Sequence, residues 1–163
     1  MTGRIGTLVA VRTNGLIVTV CGLLFVAAAC GGNDKAQPAP LVEKSFAIAQ
    51  GDAICQQGDA ETKQLVTKFR ADNPTPTNEV ALDFFVSVYL PRLEREIGDI
   101  HRIGEPTKDR VEYDEVIRAL DKGLTAFKAE VAADAVKALA GTKAFEDANK
   151  QFVAYGFKEC GKA

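Results

Sequence analysis

Tryptophan is missing from these 163 residues, and methionine and histidine occur once each. The single histidine, His101, leaves little for a transition metal, whose protein sites need three or four converging ligands. Neither the H-E-x-x-H spacing nor a calcium-loop pattern occurs, so no metal set is expected. His101 itself falls near the end of a predicted helix, with Glu105 its one carboxylate neighbour, and reads as a surface residue. Serine is almost as scarce. Ser45 and Ser87 are the only two, and neither lies in G-x-S-x-G or S-x-x-K. A Cys-x-x-Cys pair is absent, as is a glycine-rich phosphate loop, so no catalytic residue and no cofactor are expected. An excess of positive charge, which a nucleic-acid partner would need, is lacking as well.

What is present begins with the first thirty residues. Arg4 and Arg12 are the only charges there. They precede an apolar run from Gly15 to Ala29, shorter than the roughly 20 residues of a permanent membrane helix. Positive flank, short apolar core and small residues at its end are the three parts of an export signal. Val26-Ala27-Ala28-Ala29-Cys30-Gly31 resembles the lipobox of bacterial lipoproteins. In that family the cysteine receives a diacylglycerol and the chain is cut just before it. The resemblance implies cleavage between Ala29 and Cys30, lipidation of Cys30, and attachment to the outer leaflet of the cell membrane, outside the cytoplasm. Ala27 departs from the leucine the family prefers there. An ordinary signal cut at the same alanines would leave Cys30 a free thiol, and an uncleaved anchor would keep residues 1–29.

Three segments follow: a signal peptide over 1–29, a lipidated cysteine and flexible tether over 30–41, and a helical domain over 42–163. The tether, with two glycines and Pro38-Ala39-Pro40, has no apolar periodicity and spans about 20 Å as a coil. Beyond residue 29 there are 18 basic and 22 acidic residues, a net charge of −4. Cys21 leaves with the signal and Cys30 is acylated. Cys55 and Cys160 then remain as a pair in an oxidising compartment, where disulfides persist.

The domain reads as helix throughout, with no strand signals. A first helix is predicted over 42–70, its inward stripe Ile48, Gly51, Cys55, Gly58, Thr62, Leu65 and Phe69. Gly51 and Gly58 flank Cys55 by one turn on its own face, each costing about 1 kcal/mol against alanine. The expectation is that both make room for the segment bearing Cys160. A second helix is predicted from Pro76, capped by Thr75, with Leu82, Val86, Leu90, Leu93, Ile97 and Ile100 inward. Pro91 should kink it. A third helix opens at Thr107 or Lys108, with Tyr113, Val116, Leu120, Leu124, Phe127 and Val131 inward. Residues 133–140 either continue it or form a separate turn. A fourth runs over 142–155 and stops at Gly156. Short connections favour antiparallel neighbours, so the expected fold is all-α, an up-down four-helix bundle closed by one disulfide.

Asp109, Glu112 and Glu115 recur at helical spacing opposite the apolar stripe, which suits a solvated face better than acid–base work. The adjacent Phe84 and Phe85, with Tyr89 one turn on, cannot all point one way. They are a candidate interaction patch if one ring is exposed. Ala-Ile-Cys at 53–55, Leu-Pro-x-Leu at 90–93 and Tyr-Gly-x-x-x-Cys-Gly at 155–161 resemble motifs of small helical lipoproteins of high-GC Gram-positive bacteria. That resemblance also implies the Cys55–Cys160 pairing and a bundle, and supplies no activity. The expected role is a non-enzymatic envelope module that binds or scaffolds a protein partner; the alternative is a carrier or sensor of a small apolar molecule held between helices near Pro91. A cavity would favour the carrier and an exposed aromatic patch the partner module. Three polar groups converging in a cleft would reopen catalysis.

Overall fold

The computed structural model describes residues 40–162. The signal, the cut at Ala29 and the lipid site at Cys30 lie outside the described residues. Within them the chain is mostly helical: α1 (Lys44–Asp72), α2 (Asn78–Phe84), a π turn (Phe85–Tyr89), α3 (Leu90–His101), α4 (Arg110–Ala133), α5 (Ala135–Ala140) and α6 (Glu146–Tyr155). None of these helices is long and apolar enough to cross a membrane.

Two short strands correct the expectation of helix throughout. β1 (Leu41–Val42) pairs in parallel with β2 (Glu105–Pro106). The Glu105 amide donates to the Pro40 carbonyl and the Thr107 amide to that of Val42. Pro106, which has no N–H, sits between these donors and costs the ladder nothing. Gly104 is why the strands come together, since it lies at φ +106° and a Cβ there would strike the Pro40 carbonyl. Because Thr107 is engaged in this ladder, α4 starts at Arg110 and not at 107 or 108. Asp109 turns into it at φ 59°.

Caps explain the other shifted boundaries. The second helix begins after Thr77, whose hydroxyl accepts from the Val80 amide, so Thr77 is the cap and not Thr75. Asp134 ends α4 and accepts from the Lys137 amide, which makes 135–140 a separate helix. Asn78 reaches across and accepts from the amides of Ala135 and Val136, tying α5 to the start of α2. Thr142 closes a turn on the Ala144 amide, so α6 begins at Glu146. Gly156 ends it in the left-handed region, φ +119°.

The interruption expected at Pro91 takes the form of the π turn, in which the Leu90 amide reaches back five residues to the Phe85 carbonyl. A proline cannot donate to the turn before it, and a wide turn re-partners the freed groups. The extra residue also re-phases the inward face. Before the turn, Ala81 and Phe84 are buried, and at its first residue Phe85; after it, Ile97 and Ile100 are. Val86, expected inward, is 56% exposed.

Two cores result. One gathers Cys55, Ile100, Val116, Phe152, Tyr155 and Phe157 between α1, α3, α4, α6 and the C-terminal segment. The other gathers Phe69, Phe84, Phe85, Phe127, Val131 and Ala135 around α2 and α5. Leu93 and Phe145, both partly buried, pack against each of them.

Candidate functional site

The aromatic patch is not at the surface. Phe84 and Phe85 are 7% and 2% exposed and Tyr89 is half-buried. Adjacent residues do point apart, but α2 has a neighbour on each side. Phe84 stacks on Phe69 of α1 with ring centroids 4.2 Å apart, while Phe85 packs edge-on to Phe127 of α4 at 5.6 Å. Neither ring is left over for a partner.

Cys55 and Cys160 lie at disulfide distance with Cα atoms 5.1 Å apart. Gly51 serves the purpose expected of it: a Cβ there would overlap the Phe157 ring, so its absence lets the C-terminal segment settle on α1. Sequence reasoning missed the third fastener. Asp52, next to Gly51, accepts from the backbone amides of Lys158 and Glu159 at 2.9 and 2.7 Å, with that of Cys160 at 3.4 Å.

Gly58 does something else. A Cβ at this position would collide with Arg92 and Glu96 of α3, not with the C-terminal segment. The glycine opens a slot in α1 that admits an arginine to the interior. Arg92 is 6% exposed. Its Nη1 donates to the Thr62 hydroxyl and its Nη2 to Glu96, each at 2.5 Å, and Glu61 lies 3.5 Å from Nε. Nε itself has no hydrogen-bond acceptor. Burial pushes the Glu96 carboxyl above the ordinary carboxylate range, against the pull of Arg92, and the nearby Asp59 adds to the rise. Partial burial pushes Asp59 the same way, opposed by Arg92 and reinforced by Glu159. Arg92 had no place in the predicted stripe, where arginine counts as solvent-facing. The signal that could have found it is an unfilled glycine on one helix opposite an i, i+4 Arg–Glu pair on the next.

Beside this cluster, where the two cores fail to merge, lies a cleft of about 390 Å³. Leu93, Ile97, Ile100, Leu120 and Phe152 form its apolar floor, and the half-cystines border it. Asp59, Glu96, Glu146 and Glu159 stand around it with Arg92 and Lys162. That is four carboxylates against two cations, and both cations are already in ion pairs, Arg92 with Glu96 and Lys162 with Glu159. A larger hollow of 490 Å³ under α5 is lined by short or exposed chains with balanced charge and touches the second core only at Ala138.

The other residues singled out in the sequence lie apart from this cleft. His101 is 40% exposed and bonds Asp121 at 2.9 Å. Asp109, Glu112 and Glu115 are all exposed, and Asp109 pairs with Lys44. Among the described residues no group of three histidine, cysteine or carboxylate side chains is placed to share a metal ion. No protein-family model, no curated protein and no solved structure matches this chain.

Proposed function

We propose that this chain is an exported lipoprotein, anchored through Cys30, whose domain binds a small amphipathic molecule in the cleft between α1, α3 and α6. On this proposal the helices are an up-down four-helix bundle whose second member is the rod α2–π turn–α3, with α5 as an insertion. The observation that carries it is the 390 Å³ cleft, a size within the usual range for small-molecule sites. It has an apolar floor and a polar rim, the usual division between affinity and orientation in such sites. Its lining by Tyr89, Arg92 and Leu93, around Pro91, matches the carrier alternative, and the burial of Phe84 and Phe85 supports that reading over the partner module expected first.

Polar groups do converge there, but they support binding over catalysis. Thr62 and Glu96 are turned on Arg92, and the two cysteines that border the cleft lie at disulfide distance, which takes that hydroxyl, that carboxylate and both thiols out of a nucleophile–base pairing. Two measurements test the proposal. Unreduced intact mass of the protein from its native membrane should give a polypeptide starting at Cys30, diacylglyceryl-modified and two hydrogens short. Native mass spectrometry of the same material should show a co-purifying small molecule that an Ile97→Phe variant, with its cleft filled, fails to retain. Retention of residues 1–29 would refute the anchor. Equal retention by the filled variant would refute the cleft.

A further inference from the structure

We infer that the end of the domain bearing Leu41, Phe46 and Val111 docks on the lipid surface to which the chain is anchored. The inference rests on the anchor at Cys30 proposed above and assigns which side of the domain meets the membrane. Apolar exposure is the first ground. Val111 and Leu41 are the two most exposed large apolar side chains among the described residues. Leu41 and Phe46 are the only exposed leucine and phenylalanine there; the other large apolar side chains at the surface are all valine. Three contacts bring them to one end. The ladder sets Leu41 beside Glu105, and the Lys44–Asp109 ion pair ties the start of α1 to the start of α4. Phe46 shares a hollow with Arg102 and Ile103 at the end of α3. Single exposed apolar residues are ordinary, whereas a group of them at one end of a small domain marks a contact surface.

The second ground is where the tether joins the domain. The Pro40 carbonyl accepts from the Glu105 amide, so the covalent path to Cys30 starts at this same end. Gly104, packed against Pro40, lets the ladder hold Leu41 on the domain instead of leaving it in the tether. The residues between Cys30 and Leu41 reach roughly 20 Å as a coil. An anchored domain therefore keeps this end close to the headgroups, and high local concentration fills a contact too weak to hold a free domain. Charge is the third ground, and it names the kind of surface. Residues 41–46 and 99–111 carry four acidic and four basic side chains, against a net −4 for everything beyond residue 29. Three of the four bases are in ion pairs, Lys44 with Asp109, Arg102 with Asp99 and Arg110 with Glu105. This end is neutral while the rest of the domain is acidic. Capture of anionic lipid needs a cluster of unpaired lysine and arginine, which does not fit. Shallow insertion of apolar side chains among zwitterionic headgroups does.

The test uses the lipidated chain, extracted from its membrane and placed singly in phosphatidylcholine nanodiscs that contain a gadolinium-chelating lipid. Methyl NMR then reports which side chains lie near the headgroups. The expected result is loss of the Val42 and Val111 methyl signals. Those of Val80 and Val136, exposed on α2 and α5, should be retained. These lie past the far end of α4, whose 24 residues span about 36 Å. High salt should leave the pattern unchanged, because it screens exposed charges and not apolar contacts. Leu41→Ser with Phe46→Ser, both at exposed positions, keeps the fold by circular dichroism and should bring the Val42 and Val111 signals back. Loss that the double variant leaves unchanged would show proximity through the tether alone, and would overturn the docking while leaving the anchor in place. Equal loss at both ends would do the same. Loss only when each disc carries two chains would give the face to a second copy and also overturn it. A chain that fails to stay with the discs would overturn anchor and docking together.

Discussion

Replacing Arg92 with methionine keeps most of the side chain's length and deletes its charge. Glu96, whose side chain is 16% exposed, would lose its nearest cation, and Thr62 its bonding partner. Removing one member of a buried ion pair costs about 3–5 kcal/mol, and the residual exposure of Glu96 argues for the lower figure, about 3 kcal/mol. In a domain of this size that lowers Tm by roughly 10 °C. The loss should depend on pH in a defined direction. Arg92 is the main force holding the Glu96 carboxyl down against burial, so without it that carboxyl rises further. A folded-state value above the unfolded one means that the folded protein keeps a proton the unfolded chain has released. Stability is then highest below the unfolded value, about 4.3, and is lost as pH rises through the folded value. The deficit of the variant relative to the parent is therefore smallest near pH 4 and largest near neutrality. Urea midpoints at pH 4.5 and 7.5 without reductant measure it, and Arg92→Met with Glu96→Leu together should recover most of the loss. A deficit under about 1 kcal/mol at pH 7.5, or one equal at both pH values, would refute the reasoning.

Three further outcomes follow from the C-terminal fasteners. Gly51→Ala drives a methyl into the Phe157 ring and should destabilise by about 1–3 kcal/mol, read as a lower urea midpoint; an unchanged midpoint would mean that Phe157 is not seated there. Asp52→Ala unpins the amides of Lys158 and Glu159 and should cost about 1–2 kcal/mol, with those two amides exchanging hydrogen faster than in the parent. Exchange at the parent rate would show that the carboxylate does not hold them. Cys55→Ala with Cys160→Ala opens a bridge of sequence separation 105 and should cost up to about 4.7 kcal/mol in equilibrium unfolding. A double variant as stable as the oxidised parent would show that the thiols are not joined.

Much of the fold was legible because apolar spacing and cap chemistry are local. The stripe through Tyr113, Val116, Leu120, Phe127 and Val131 is buried as its period demanded, and Gly156 stops α6 where a left-handed residue was required. Legibility ended where a distant segment decided the outcome. Val42 looks like the start of a helix until Pro106 lies beside it and the Thr107 amide donates to its carbonyl. Thr75 and Thr77 are equivalent caps until Asn78 is drawn to α5. Val86 has the right spacing for the core, and only the wide turn before Pro91 puts it outside. The cleft was the least legible feature. It depends on a buried arginine, which periodicity assigns to solvent, and on the gap between two cores, which no single helix encodes.

The separation of Cys55 from Cys160 has a consequence for how the chain matures. Synthesis runs from the N-terminus, so Cys55 leaves the ribosome 105 residues ahead of its partner, and no cysteine lies between them. The waiting thiol therefore meets no wrong partner before Cys160 emerges. Its only rivals, Cys21 and Cys30, lie upstream. If the chain is processed as proposed, one of these is discarded with the leader and the other is capped by thioether formation. The correct bridge would then be the one left by the order of events, with helix packing needed only to bring its two ends together.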